Sequence, residues 1–158
     1  MNIRQADMAD ADALEALINK AYEVENFFVT GNRIHSHEIS AYLVKGYFFV
    51  ALIEQLIVGC IYLELKNKRA YFGLLSVHPS YQGKGIGKEL IFLAENFGRR
   101  HHCSHMDMNV VNLREELPPF YRKLGYEVTG EQLPFAPRTL VTDKPVFFIL
   151  MSKTLLPE

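Results

Sequence analysis

Apolar and polar positions alternate in blocks along this chain, and the block periods predict its elements. Ile3 to Ala6 reads as a short first strand. Asp7 and Asp10 then offer N-cap carboxylates to a helix whose apolar face is Leu14, Leu17, Ile18 and Ala21. Gly31 interrupts, and a second helix is expected from about Ser36 to Val44, ended by Gly46. Two β-rich runs follow, Tyr47 to Ile53 and Leu56 to Leu65, joined by Glu54-Gln55 as in a tight hairpin. A polar turn at Asn67 to Arg69 leads into a third run, Ala70 to Val77, so residues 47 to 77 form an antiparallel meander.

The texture then changes. His78-Pro79 ends the strand and a glycine-rich loop follows. Ile86, Leu90, Leu93, Ala94 and Phe97 mark a strong helix, closed by Arg99, Arg100, His101 and His102, where basic groups suit the helix dipole. Met106, Met108 and Val110 alternate as the next strand. Strand, loop, helix and strand in that order make a crossover unit, which joins parallel strands. Pro118-Pro119 opens a short helix through Phe120, Tyr121 and Leu124, stopping at Gly125. Tyr126 to Thr129 and Val146 to Lys153 are the last strands, and Gly130 to Lys144, with Pro134 and Pro137, reads as a long loop.

Composition narrows the classes. A length of 158 residues fits one domain, and 49% hydrophobic residues supply a sizeable core. Seventeen basic against eighteen acidic side chains give a net charge of -1, with no electrostatic footprint for nucleic acid or an anionic membrane. The chain starts without the apolar stretch of a signal peptide, and its longest apolar run, Leu56 to Leu63, is too short for a bilayer; a cytoplasmic protein is expected. Cys60 and Cys103 form no CxxC pair and read as two free, buried thiols, and no metal site is expected.

The chemistry concentrates in Gln82-Gly83-Lys84-Gly85-Ile86-Gly87-Lys88, between a strand and a helix. Alternating glycines let the backbone bend sharply and approach a ligand closely. The following helix turns free N–H groups and a positive dipole end toward the loop, which suits a phosphate or pyrophosphate. A P-loop needs a glycine five residues before Gly87, where Gln82 stands, and Ser or Thr after Lys88, where Glu89 stands. A dinucleotide fingerprint needs a third glycine where this chain has Lys88. Both readings fail.

The remaining pattern, Q-x-x-G-x-G, is met by Gln82, Gly85 and Gly87, and here the chain resembles the GNAT superfamily of N-acetyltransferases. Leu74-Leu75-Ser76-Val77-His78-Pro79 looks like that family's fourth strand entering its coenzyme A loop. Phe120-Tyr121-Arg122-Lys123-Leu124-Gly125-Tyr126 looks like its second motif, and the order of elements matches over nearly the whole chain. The resemblance implies an α/β fold: a mixed, mostly antiparallel sheet of about seven strands, about four flanking helices, and splayed strands 4 and 5. It implies acetyl-CoA as cofactor, its pantetheine arm on the backbone of Leu75, Ser76 and Val77. The pyrophosphate would lie on Gln82, Gly83, Lys84, Gly85, Ile86, Gly87 and Lys88, with Asn112 a polar contact.

It further implies direct attack of a primary amine on the thioester, with Tyr121 as general acid and cofactor contact and a backbone N–H near Leu75 as oxyanion donor. Many members carry a glutamate early in strand four; this chain has Ala70-Tyr71-Phe72-Gly73 there. Glu64 on the preceding strand is the candidate base, with Glu23, Glu25 and water as alternatives; His35, His37 and the two glutamates also read plainly as solvated surface groups. Arg114 suits either a substrate carboxylate or a surface pair with Glu115 or Glu116. A small-molecule acceptor is favoured over a protein N-terminus or lysine; an acyl-CoA-sensing module without turnover is the other reading. Exposed edge strands allow a homodimer.

Overall fold

The computed structural model describes residues 1–135 and 138–156. Its seven strands are β1 (Asn2–Gln5), β2 (Tyr47–Ile53), β3 (Leu56–Lys66), β4 (Arg69–Val77), β5 (His105–Val111), β6 (Glu127–Pro134) and β7 (Phe147–Thr154). Its helices are α1 (Ala11–Ala21), α2 (Ser36–Lys45), α3 (Ile86–Arg100) and α4 (Leu117–Lys123), with short 3₁₀ turns between them. The sheet order is β1-β2-β3-β4-β5-β7-β6, and β4–β5 is its one parallel pairing, as the crossover through α3 demands. No helix among the described residues is long and apolar enough to cross a membrane.

Both faces of the sheet are covered, which is why β3 reads as a continuous apolar run. Cys60 and Tyr62 turn toward α1 and α2, joining Leu14, Leu17, Ile18 and Ile39. Ile61 and Leu63 turn toward α3, joining Leu90, Ile91 and Ala94. The two hairpin turns have left-handed backbone at both central residues, Glu54 and Gln55 in one, Asn67 and Lys68 in the other. That geometry matches the twist of the flanking strands. Asp7 caps the turn at Met8–Asp10 rather than α1, and the Asp10 carboxylate serves Arg4 at 2.8 Å and the Asp7 N–H at 3.0 Å.

Strand β4 changes face partway along. Ala70 and Phe72 lie in the cluster under α3, yet Leu74, of the same parity, lies in the cluster under α1. The cause is a bulge: Cys60 pairs with Ser76 and Tyr62 with Gly73, so Leu74 and Leu75 together oppose Ile61. Leu74 takes φ 52 there, a left-handed backbone that costs a non-glycine residue roughly 1–2 kcal/mol. Beyond the bulge, Leu75 and Val77 pack toward α3. The neighbouring strand has meanwhile departed: β4 and β5 pair only at Arg69, Ala70 and Tyr71 with His105, Met106 and Asp107. Past Tyr71 the two strands splay.

One expectation is corrected. The stretch after Thr129 is not loop at once, because β6 continues to Pro134, paired with β7 through Gln132, Leu133 and Pro134. Gly130, at φ 94, sits in the register shift that bends this strand. Proline is tolerated because β6 is the sheet edge. Pro137 lies outside the described residues. Cys60 and Cys103 are both buried and free.

Candidate active site

A cavity of about 1180 Å³ opens where β4 and β5 splay. Its floor is the β4 stretch Tyr71 to Val77 and the β5 stretch Met108 to Val111. The loop before α3 closes one end, and the segments after α1 and after β6 close the other.

At the loop end, the expected residues converge. Gln82, Gly83, Gly85, Ile86, Gly87 and Lys88 line the cavity beside Leu75, Ser76 and Val77. Gly83 and Gly85 have φ 80 and 82, and nothing stands within 4 Å of where a Cβ would be on either. Gly85 begins α3 without a side-chain cap, which leaves the first-turn N–H groups available. Gln82 holds the loop against the strand, its Nε2 donating to Val77 O at 3.3 Å. Ser76 is spent internally, its Oγ donating to Leu74 O at 3.0 Å. Lys84 is not a lining residue; its ammonium sits 5.3 Å from the Tyr81 ring centroid.

Tyr121 lines the middle of the cavity from α4. Its ring, 5% exposed, is fixed between Phe72, Phe120 and Tyr126, with centroids 5.1 to 6.1 Å away. Burial pushes the phenol up to about 12, against the pull of the Arg114 charge. Tyr126 is fully buried, and its hydroxyl donates to Glu95 at 2.7 Å.

Two sequence candidates do not reach the cavity. Glu64 accepts from the Tyr62 hydroxyl at 2.8 Å and faces Lys45 at 3.8 Å. Its ladder partner Tyr71 lines the cavity, but Glu64 itself is not among the lining residues. Asn112 is consumed as a brace: its Nδ2 donates to Pro145 O at 3.0 Å and its Oδ1 accepts from the Phe147 N–H at 2.9 Å. It joins the end of β5 to the start of β7 and likewise does not line the cavity.

Glu25 does reach it, and it is no solvated surface charge. It is 6% exposed, with Arg114 Nη1 at 3.2 Å. Burial raises its pKa, and Arg114, Arg33 and Arg138 offset that only in part. Arg114 is shared: its Nε gives a shorter bond, 2.9 Å, to Glu116. Glu116 is also partly desolvated, yet that bond holds its carboxyl below the ordinary range. Glu23 pairs with Lys20 at 3.2 Å, and His35 and His37 stack on each other at 5.7 Å away from the cavity. Sequence reasoning passed over Tyr22, Tyr71, Arg33 and Arg138, all of which line the far end. They come from separate loops and strands and share no spacing that would have flagged them.

The family model described as "Acetyltransferase (GNAT) domain" matches residues 44–128, more than half of the chain. Streptothricin acetyltransferase of Streptomyces lavendulae is 31% identical over 64 residues, 40% of this chain and 34% of that protein. The chain spans about a third and about half of the length of the two curated relatives it matches. Among solved structures, smu.2055 of Streptococcus mutans superposes with a TM-score of 0.82 at 22% identity, covering 99% of this chain and all of that one. The putative acetyltransferase yncA of Salmonella typhimurium, solved with acetyl-CoA, gives 0.76 at 20% identity over 100% and 95% of the two chains. These likenesses show that the fold is a shared one.

Proposed function

Because the chain belongs to the GNAT acetyltransferase family, we propose that it transfers an acetyl group from acetyl-CoA to a primary amine of a small molecule, in the cytoplasm, by direct attack within a ternary complex. The observation that carries this is the continuity of one cavity from the uncapped, glycine-lined start of α3, past Tyr121, to the buried Glu25.

The residues present fit acetyl-CoA. Open space over Gly83 and Gly85 leaves room for a pyrophosphate on the α3 N–H groups, with Lys88 beside it. The β4 edge beyond Tyr71 has no ladder partner on β5 among the described residues, so Leu75, Ser76 and Val77 have backbone groups to offer an extended pantetheine arm. When bound, acetyl-CoA supplies a thioester carbonyl that an amine can attack.

The chain's own residues have three tasks. The amine must be neutral to attack; for a lysine-like amine of pKa about 10.4, losing the proton at pH 7 costs about 4.6 kcal/mol. Glu25 takes that proton. Its raised pKa makes it a better base than an ordinary carboxylate, and the Arg114 charge counters part of that rise. The Leu75 N–H, aimed by the Leu74 bulge, donates to the carbonyl oxygen as charge develops there. Tyr121 stays protonated to about pH 12 and donates to the departing sulfur, with Arg114 stabilising any charge the phenol acquires. Glu64 and Asn112 have no part in this account.

The test is thiol release from acetyl-CoA by the purified chain against polyamines, amino acids, aminoglycosides and short peptides. Release with one acceptor class supports the reading. Binding of acetyl-CoA without release from any acceptor contradicts transfer and favours a sensing role; no binding at all removes the whole proposal.

A further inference from the structure

The acceptor end of the cavity holds two arginines that this chain leaves without a carboxylate. Arg33 follows Gly31 in the segment before α2, and Arg138 lies in the segment between β6 and β7. The chain takes trouble to bring them together. Val29 bridges antiparallel to Leu140, the Thr30 N–H donates to Thr139 O at 2.9 Å, and the Val141 N–H donates to Phe28 O at 2.9 Å. Both arginines line the main cavity and a smaller one of about 230 Å³ beside it.

Neither guanidinium forms an ion pair among the described residues, although the charge of Glu25 reaches both. The Arg33 guanidinium carbon lies 5.3 Å from the Tyr22 ring centroid. Among the described residues Arg138 gives one bond, from Nη2 to Gly31 O at 3.1 Å, and its buried Nε has no partner there. The nearby carboxylates are engaged elsewhere, Glu25 and Glu116 by Arg114 and Glu23 by Lys20. Burial lowers the Arg138 pKa and the neighbouring Arg33 charge lowers it further, with Glu25 offsetting this only in part, so the two cations sit in each other's field. A buried donor without a partner is costly, and paired like charges add to that cost. An anion between them relieves both. Arg114, the candidate the sequence offered for this role, is already paired with two glutamates.

We propose that the amine acceptor carries a carboxylate, held by Arg33 and Arg138 at the end of the cavity beyond Glu25. This rests on the acetyl-transfer reading of the same cavity. The acceptor class is therefore an amino acid or an amine with an appended carboxylate, and not a polyamine or an aminoglycoside, whose extra positive charges these arginines repel.

The experiment uses the full chain saturated with coenzyme A, titrated calorimetrically with a set of N-acetylated amino acids and the primary amide of each. Acetylation removes the amine's own charge, so each pair differs only in the carboxylate. At least one acid is expected to bind about ten- to a hundredfold tighter than its amide. That advantage should fall below about threefold in Arg33→Gln, in Arg138→Gln and in the double variant, with coenzyme A affinity unchanged and the melting temperature not lowered. Equal binding of acids and amides, binding of neither, or an advantage that survives the double variant overturns the proposal. Thiol release measured in parallel separates the two readings. Release from amino acids and their amides alike removes this inference and leaves acetyl transfer standing; carboxylate-selective binding without thiol release from any amine does the reverse.

Discussion

Arg114 Nη1 lies 3.2 Å from the Glu25 carboxylate, joining two residues 89 positions apart across the mouth of the cavity. The pair ties the segment after α1 to the segment before α4, and it holds a buried carboxylate at the end of the cavity proposed for the acceptor.

Glu25→Gln is therefore expected to lower kcat by about a hundredfold or more, the usual reach of a general base. The wild-type rate should fall with acid along a limb displaced above the ordinary glutamate value of about 4.3, because burial raises the Glu25 pKa. The variant should lack that limb. Stability has the opposite sign: a carboxyl that holds its proton more tightly folded than unfolded makes the fold less stable as pH rises through that window. Glu25→Gln should flatten this dependence. A pH–rate profile and thermal melts across the same range check both.

Tyr121 and Tyr126 separate function from structure. The Tyr121 hydroxyl makes no hydrogen bond to another described residue, so Tyr121→Phe should leave the melting temperature and coenzyme A affinity unchanged while lowering kcat by about ten- to a thousandfold. The Tyr126 hydroxyl bonds a carboxylate that is 2% exposed, so Tyr126→Phe should cost about 1.5–3 kcal/mol and leave kcat alone. Denaturant unfolding with steady-state kinetics on both variants decides it.

Gly85→Ala places a Cβ on a residue at φ 82, directly over the open side of the loop. The strain is about 1 kcal/mol or more, and the methyl occupies the space proposed for a phosphate. Acetyl-CoA affinity should drop about tenfold or more with the melting temperature only slightly lower, as calorimetry and a melt would register.

Asn112→Ala removes two bonds that brace β5 to β7 and no cavity contact. It should cost about 1–3 kcal/mol of stability and leave the KM for acetyl-CoA unchanged. Chemical denaturation beside a cofactor titration checks the pair of outcomes.

What was legible in the chain followed from local rules. The glycine run from Gly83 to Gly87, the proline pair opening α4 and the two-residue hairpin links each impose a backbone geometry on their own, and each appears where its residues demanded. Glu25 was visible as a letter but not as a buried group, because its burial depends on Arg114, far away in the sequence. Arg33 and Arg138 meet only through the bridge between Val29 and Leu140, which no periodicity encodes. Glu64 was harder to place from sequence: it pairs across the ladder with Tyr71, which lines the cavity, yet it is engaged by Tyr62 and Lys45 and is not itself a lining residue. The continuation of β6 past Thr129 was hidden by Gly130 and Pro134, residues that mark turns in general and are tolerated here at a bulged edge strand.

The central claim is direct transfer at this cavity, and the sharpest test follows the acetyl group itself. The chain is incubated with acetyl-CoA labelled in the acetyl carbon, with and without an amine drawn from the acceptor panel. The account predicts label recovered on the amine in an amount equal to the free thiol, none bound covalently to the protein, and loss of both in Glu25→Gln. Label lodged on the protein, or thiol released at the same rate without any amine, would contradict it.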